Sequence, residues 1–93
     1  MERATLQTVL RRAPGMHEDG DRFRVTEDYE VTFYLGQPGR AVPIDHVLSV
    51  LLADTHLEIE ARDRGTFYAA YEVVHALLEH RRKERKGAAG VGF

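Results

Sequence analysis

Apolar and polar side chains alternate over two stretches in the first half of the chain, residues 22–26 and residues 31–35. A period of two residues is typical of an antiparallel strand with one buried face. Gln37-Pro38-Gly39-Arg40 follows and matches a type II turn, because proline presets φ at the second position and glycine accepts a positive φ at the third. The pattern therefore predicts a strand over residues 30–36 that returns as a strand over residues 40–44.

Two other segments have the three-to-four-residue period of an amphipathic helix. Apolar residues recur at this spacing over residues 2–12, ahead of Pro14 and Gly15, which predicts a short N-terminal helix. The same period starts at Tyr71, and lysines and arginines accumulate towards its end, where cations interact favourably with the helix dipole. This pattern predicts a basic C-terminal helix over residues 71–86.

Between these helices lie a hairpin signal and a segment that fits two structures. Residues 57–61 and 66–69 alternate on either side of Asp63-Arg64-Gly65, as the strands of a hairpin do. Residues 44–52 match the helical template at five positions, whereas a strand would leave Val47 on the exposed face. We therefore expect a helix there, with a strand as the alternative.

The predicted order of elements indicates an α+β fold. It consists of an antiparallel sheet of four to five strands, with helices packed on one side and the basic C-terminal helix. If residues 44–52 were a strand, the fold would instead be a small β-barrel with an N-terminal helix. The length of 93 residues suits one domain, which we assign to residues 1–86, and the Gly/Ala-rich residues 87–93 predict a flexible tail.

Composition and charge narrow the class of protein. The chain has no cysteine, which excludes a disulfide scaffold and a thiolate metal site and fits a cytoplasmic protein. No signal peptide or membrane span is predicted. Residues 81–86 carry a net charge of +4, so the other residues carry −6 of the total of −2. An acidic body with a basic end is the expected distribution.

No pattern of catalytic, metal-binding or cofactor-binding residues is present. His75 and His80 are five residues apart, whereas two metal ligands on one helix need a spacing of three or four. Ser49, the only serine, lies in an apolar run without a Gly-x-Ser-x-Gly elbow and is interpreted as structural. The paired carboxylates lie in polar stretches, where both members stay solvated: Glu18/Asp19, Glu27/Asp28 and Glu58/Glu60. An enzyme is not expected; if a site were assembled between chains, His46, Asp54 and His56 would be the first residues to test.

Three groups of residues are candidates for binding. The apolar residues Phe67, Tyr68, Tyr71 and Val74 exceed what one sheet face of a small domain needs, which favours a protein interface. A mixed surface of arginine and tyrosine would form if the strands that carry its members were neighbours: Arg22, Arg24, Tyr34, Arg62 and Arg64. The basic run could contact phosphates or an acidic partner: Arg81, Arg82, Lys83, Arg85 and Lys86.

Parts of the chain resemble an Sm-like small β-barrel of the bacterial Hfq type. Val31-Thr32-Phe33-Tyr34-Leu35, followed by Gly39, and residues 66–77 carry the resemblance. It implies a strand at residues 44–52. The RNA contacts of that family depend on a Tyr-Lys-His element near the last strands, whereas Tyr68 is followed here by two alanines. The resemblance therefore implies a fold and not an RNA-binding function.

The function expected from the sequence is that of a non-catalytic binding or regulatory module. It would act through protein contacts, as a homo-oligomer or as a small subunit of a complex. The alternative is a nucleic-acid-binding regulator that uses the basic run.

The alternative makes a salt-dependent prediction. If the basic run binds nucleic acid, affinity for labelled mixed-sequence RNA or DNA falls steeply as salt rises, because bound cations release counterions from the phosphates. Replacing all five cations of the run with alanine then removes binding, as measured by fluorescence anisotropy. No binding at low salt would end this hypothesis.

Overall fold

Alternating apolar residues build eight β-strands over residues 1–82, the part of the chain that the computed structural model describes. A single helix, α1 (Arg3–Arg12), precedes the strands, and one turn of 3-10 helix (Tyr71–Val73) precedes the last of them. The strands are β1 (Met16–Asp19), β2 (Arg22–Val25), β3 (Tyr29–Leu35), β4 (Val42–Ile44), β5 (Val47–Leu52), β6 (His56–Ala61), β7 (Gly65–Ala70) and β8 (Val74–Arg81).

The strands form two antiparallel sheets. The larger sheet has five strands in the order β1-β2-β5-β6-β7, and the smaller has three in the order β4-β3-β8. All strand pairs within them are antiparallel. Over residues 1–82 the chain passes between the sheets three times, from β2 to β3, from β4 to β5 and, through the 3-10 turn, from β7 to β8. We call the last of these the crossing between the sheets.

The hydrophobic core lies between the two sheets. Phe23, Val50 and Ile59 lie opposite one another on three neighbouring strands of the larger sheet, so their side chains share one face. Val31 and Phe33 of β3 belong to the same cluster, and all five side chains are fully buried. Since side chains alternate along a strand, burying these residues directs their neighbours to the outer faces.

Helix α1 is fixed to the sheets at both its side chains and its N-terminus. Leu6 and Leu10, one turn apart, are fully buried in the core. Arg3 Nη2 donates a hydrogen bond to the Leu52 carbonyl at 3.0 Å, and Arg3 Nε donates to the Ala53 carbonyl at 3.2 Å. The Met1 ammonium donates to two carbonyl oxygens at the crossing between the sheets, 2.9 and 3.1 Å away.

The expected helix at residues 44–52 is wrong, because this segment contains β5, a strand near the centre of the larger sheet. The register between β5 and β6 shifts between Val47 and Ser49, where a bulge leaves Leu48 without an opposite residue. The bulge turns Val47 into the core together with Val50. A strand without a bulge would expose Val47, which was the reason for preferring a helix. The strand alternative for this segment is therefore correct.

The expected C-terminal helix is also wrong over residues 71–82. Its first residues form the 3-10 turn, and β8 then pairs with β3 from Leu35↔Val74 to Tyr29↔Arg81. Pairing with a long neighbouring strand overrides the local helical spacing. Residues 83–86 of the predicted helix and the predicted tail at residues 87–93 lie outside the described residues.

The α+β fold with a helical layer is thus replaced by a fold of mainly antiparallel sheets. Strands account for 54% of the structure and helices for 16%. The short N-terminal helix, the turn between β3 and β4 and the β6–β7 hairpin are confirmed.

Gly15, at the link between α1 and β1, generates a prediction about stability. A Cβ atom there would collide with the Tyr29 side chain and lie 2.7 Å from Glu79 Oε2, which accepts the Gly15 N–H. Gly15→Ala should lower the free energy of unfolding by about 1–3 kcal/mol through overpacking. Urea denaturation measures this loss.

Combining Gly15→Ala with a substitution of Tyr29 tests whether the Tyr29 side chain causes that loss of stability. In a Tyr29→Gly background both the ring and the Cβ that lies 2.6 Å from the added methyl are absent, so Gly15→Ala should be less destabilising than in the wild-type background. An equal loss in both backgrounds would contradict the steric explanation.

Candidate functional site

The outer face of the larger sheet, opposite the core, carries polar and charged side chains in rows that run across the strands. Residues directly opposite one another on paired strands point to the same side. The register gives two such rows: Asp19, Arg22, Leu51, Glu58 and Tyr68, and beside it His17, Arg24, Ser49, Glu60 and Thr66. We call these ten residues the outer face. Its arginines lie on β2 and its glutamates on β6, with β5 between them.

Ser49 connects the two charged strands at the centre of the outer face. The Arg22 guanidinium donates to Ser49 Oγ at 3.2 Å, and Ser49 Oγ donates to Glu60 Oε1 at 3.1 Å. Ser49 is only 5% exposed, so both partners shield it from water. The only serine of the chain thus bridges opposite charges, and no histidine contacts its hydroxyl in the described structure. This geometry supports a structural role and not that of a nucleophile.

Tyr68 is the most exposed large apolar side chain of residues 1–82, with 69% of its surface accessible. It lies on β7, an edge strand that pairs within the described structure with β6 alone. His56 is its neighbour, with ring centroids 6.3 Å apart, and His56 Nε2 lies 3.0 Å from Glu58 Oε2. The ring therefore stands at the rim of the sheet beside polar groups that water can reach.

The four residues predicted as an interface lie in different environments. Tyr71 is 8% exposed and Val74 is 3% exposed, because both belong to the core cluster at the crossing between the sheets. Phe67 packs against this core from the inner face of β7, and the Arg64 guanidinium lies 5.1 Å from its ring centroid. Of the four, Tyr68 alone presents its ring to solvent. The alternation along β7 separates it from Phe67.

The structure describes two of the five cations in the basic run. Arg81 lies at the end of β8, with its guanidinium 6.0 Å from the centroid of the Tyr29 ring. Arg82 Nε is 3.7 Å from Glu30 Oε2, and the Arg82 N–H donates to the Asp28 carbonyl at 2.6 Å. Lys83, Arg85 and Lys86 lie outside the described residues. Both described arginines thus have partners within the fold.

The predicted arginine and tyrosine surface is divided among three places. Arg22 and Arg24 are on the outer face of the larger sheet, whereas Tyr34 is on β3 of the smaller sheet. Arg62 and Arg64 follow β6 in the hairpin turn. The strands that carry these residues are not all neighbours, so no common surface forms.

The histidines do not converge on a metal or on a catalytic group. His46 precedes β5 and His56 follows it, so the strand separates His46 from Asp54 and His56. Within residues 1–82, no group of three or more histidine or carboxylate side chains is placed so that it could hold a metal ion. His80 Nε2 instead lies 3.5 Å from Glu30 Oε1 on the neighbouring strand.

A cleft, which the sequence did not indicate, opens at the end of the core where five strands begin or end. Its volume is about 150 Å³, and its apolar wall consists of Val25, Val47 and Leu48. The Tyr29 side chain and polar or charged groups complete the lining: Thr26, Glu27, Glu30, His46, Arg62 and Arg82. These residues are dispersed over most of the chain, so no local motif could have revealed the cleft. We call it the strand-end cleft.

Comparisons with protein-family models, curated proteins and solved structures gave no match. The resemblance to Sm-like proteins therefore has no support from these comparisons, and the site must be interpreted from its geometry. No helix within residues 1–82 is long and apolar enough to cross a membrane.

The buried hydroxyl of Tyr71 generates a prediction about pH. It donates to the Ala53 carbonyl at 2.5 Å, and burial raises the pKa of Tyr71 above its ordinary value of 10.0, although nearby Arg3 opposes the shift. The folded state thus holds this proton more tightly than the unfolded state does. The stability that this protonated hydroxyl gives the folded state is complete at pH values below the pKa of Tyr71 in the unfolded chain. It is lost as pH rises through the higher pKa of Tyr71 in the folded chain.

Tyr71→Phe should remove the part of the fall in folding stability at alkaline pH that comes from this hydroxyl. The variant should also be less stable at neutral pH by about 0.5–1.5 kcal/mol, because the hydrogen bond is lost. Urea denaturation between neutral pH and about pH 11 measures both effects. Tyr68→Phe, which removes an exposed hydroxyl, is the matched control and should keep the wild-type profile. A Tyr71→Phe profile parallel to that of the wild type would refute the assignment.

Proposed function

We propose that this chain is a non-catalytic binding module that acts through protein contacts, and that it forms a homodimer through the outer face and the adjoining edge strand β7. The observation that carries the proposal is the exposure of Tyr68, 69% of whose surface meets solvent on an edge strand. Tyrosine is enriched at protein interfaces because it buries a large rigid ring while its hydroxyl remains available for hydrogen bonding.

The edge formed by β7 supports this location. An edge strand has unpaired N–H and C=O groups, which proteins protect with charges, proline or a short length. β1 and β8 contain charged residues, and β4 has only three residues, one of which is Pro43. The six residues of β7, Gly65–Ala70, include neither a charge nor a proline. Among the four edges of the described sheets, β7 is thus the least protected against pairing.

The distribution of charge on the outer face favours a second copy as the partner. Arginines occupy one side of the face and glutamates the other. If two copies meet face to face about a two-fold axis that runs parallel to the strands along β5, the arginine side of each lies over the glutamate side of its partner. The bridge through Ser49 already satisfies Arg22 and Glu60 within one chain. Arg24 and Glu58 have only surface contacts within the chain, 3.6 Å to Asp19 and 3.0 Å to His56, and can exchange them for contacts with the partner.

Substitution of Tyr68 tests the interface directly. We expect the wild-type chain to be a dimer by size-exclusion chromatography with light scattering. Tyr68→Asp should be monomeric and still unfold cooperatively in urea, because it places a charge in the contact without altering the core. Tyr34→Asp, on the outward side of the smaller sheet, is the matched control and should remain dimeric. A monomeric wild type at concentrations well above micromolar would contradict the proposal.

Charge exchange tests the orientation of the two copies. Arg24→Glu and Glu58→Arg should each weaken dimerisation by about tenfold, because each places like charges opposite one another. The double variant restores opposite charges and should recover affinity. Failure of the double variant to recover would reject the two-fold arrangement, even if Tyr68 proved to lie in the contact.

A further inference from the structure

We propose that the strand-end cleft binds a free aliphatic α-amino acid, with Arg62 recognising its carboxylate and Glu27 its ammonium group. This inference is independent of the proposed dimer, since it rests on different residues. The cleft volume of about 150 Å³ is below the usual range for drug-sized ligands. It is large enough to hold several water molecules, which suits a ligand of amino-acid size.

The cleft is lined by side chains of both charges, and some of them have no ion-pair partner within residues 1–82. Glu30 is shared between Arg82, 3.7 Å away, and His80, 3.5 Å away. Neither Arg62 nor Glu27 forms an ion pair with any of residues 1–82. One free cation and one free carboxylate in the same small space match a ligand that carries both charges.

Arg82 offers a second donor to the ligand carboxylate. Its Nε atom is buried and has no hydrogen-bond partner within the described structure, because the nearest Glu30 oxygen is 3.7 Å away. A buried donor without an acceptor is unfavourable, and a carboxylate oxygen that reached it would remove that penalty. Guanidinium groups bind carboxylates well because their donors are planar and parallel.

The backbone at the cleft is held in a strained conformation. His46 has φ of 57°, in the left-handed region that residues with a Cβ seldom adopt. Its carbonyl accepts the Arg62 N–H at 2.9 Å, which fixes the start of β5 to the residue that follows β6. Strain of this kind persists where surrounding contacts enforce it and is concentrated at ligand sites. Here it places the base of Arg62 at the rim of the cleft.

The remaining wall defines the side chain of the ligand. Val25, Val47 and Leu48 supply its apolar part, and Leu48 is the residue that the β5 bulge leaves without an opposite partner. An aliphatic side chain would bury its surface against these residues. Among amino acids, the cleft therefore favours small aliphatic ones over charged or aromatic ones.

The test is an NMR titration of the full ¹⁵N-labelled chain with glycine, L-valine and L-leucine. We expect saturable shifts for at least one of them, confined to residues 25–30, 46–48 and 62. Leucinamide, which lacks the carboxylate, and 4-methylpentanoate, which lacks the amine, should each bind at least about tenfold more weakly than leucine. Equal binding of either analogue would overturn recognition of both charges.

Variants of two neighbouring arginines identify the binding group. Arg62→Ala should weaken binding about tenfold or more, whereas Arg64→Ala, in the same turn but stacked on Phe67, should leave it unchanged. Dispersed spectra would show that both variants are folded. The proposal fails if none of the three amino acids gives a saturable shift up to about 10 mM, or if the two variants bind equally.

Discussion

The burial of one apolar layer between two sheets is the constraint on which the rest of this structure depends. Val31 and Phe33 of β3 lie in the same buried cluster as Phe23 and Val50 of the larger sheet. Because side chains alternate along each strand, this layer also determines which residues face outward. The opposed arginine and glutamate strands of the outer face and the exposure of Tyr68 are consequences of that single requirement.

The sequence predicted the elements whose residues follow one period from end to end. β3 and the β6–β7 hairpin alternate without interruption, and α1 has its two buried leucines one turn apart. Prediction failed at β5, where the bulge changes the alternation, and at β8, where an apolar spacing typical of a helix belongs to a strand. The stability of β8 comes from its pairing with residues of β3 that lie 39 to 52 positions away in the chain, and such pairing leaves no local signal.

The candidate sites could also be predicted only as far as the local pattern revealed the strands that carry them. Residues 66–69 were predicted as a strand, so alternation could have separated Tyr68 from Phe67, since adjacent residues point to opposite faces. Assigning Tyr71 and Val74 to a helix concealed the crossing between the sheets that buries them. The strand-end cleft had no sequence signal, because its lining residues lie at or next to the ends of five different strands and meet only when both sheets are assembled.

The N-terminal segment completes the hydrogen bonding that this crossing disrupts. Where a chain leaves one sheet for another, carbonyl groups lose their partners in the strand ladder, and a buried carbonyl without a donor is unfavourable. The Met1 ammonium supplies donors to Tyr71 and Val74, and Arg3 supplies donors to Leu52 and Ala53. All four acceptors lie near the ends of strands. The short helix thus supports the two-sheet arrangement: its leucines close the core, and the residues at its start satisfy backbone carbonyls where β7 gives way to β8 and at the turn between β5 and β6.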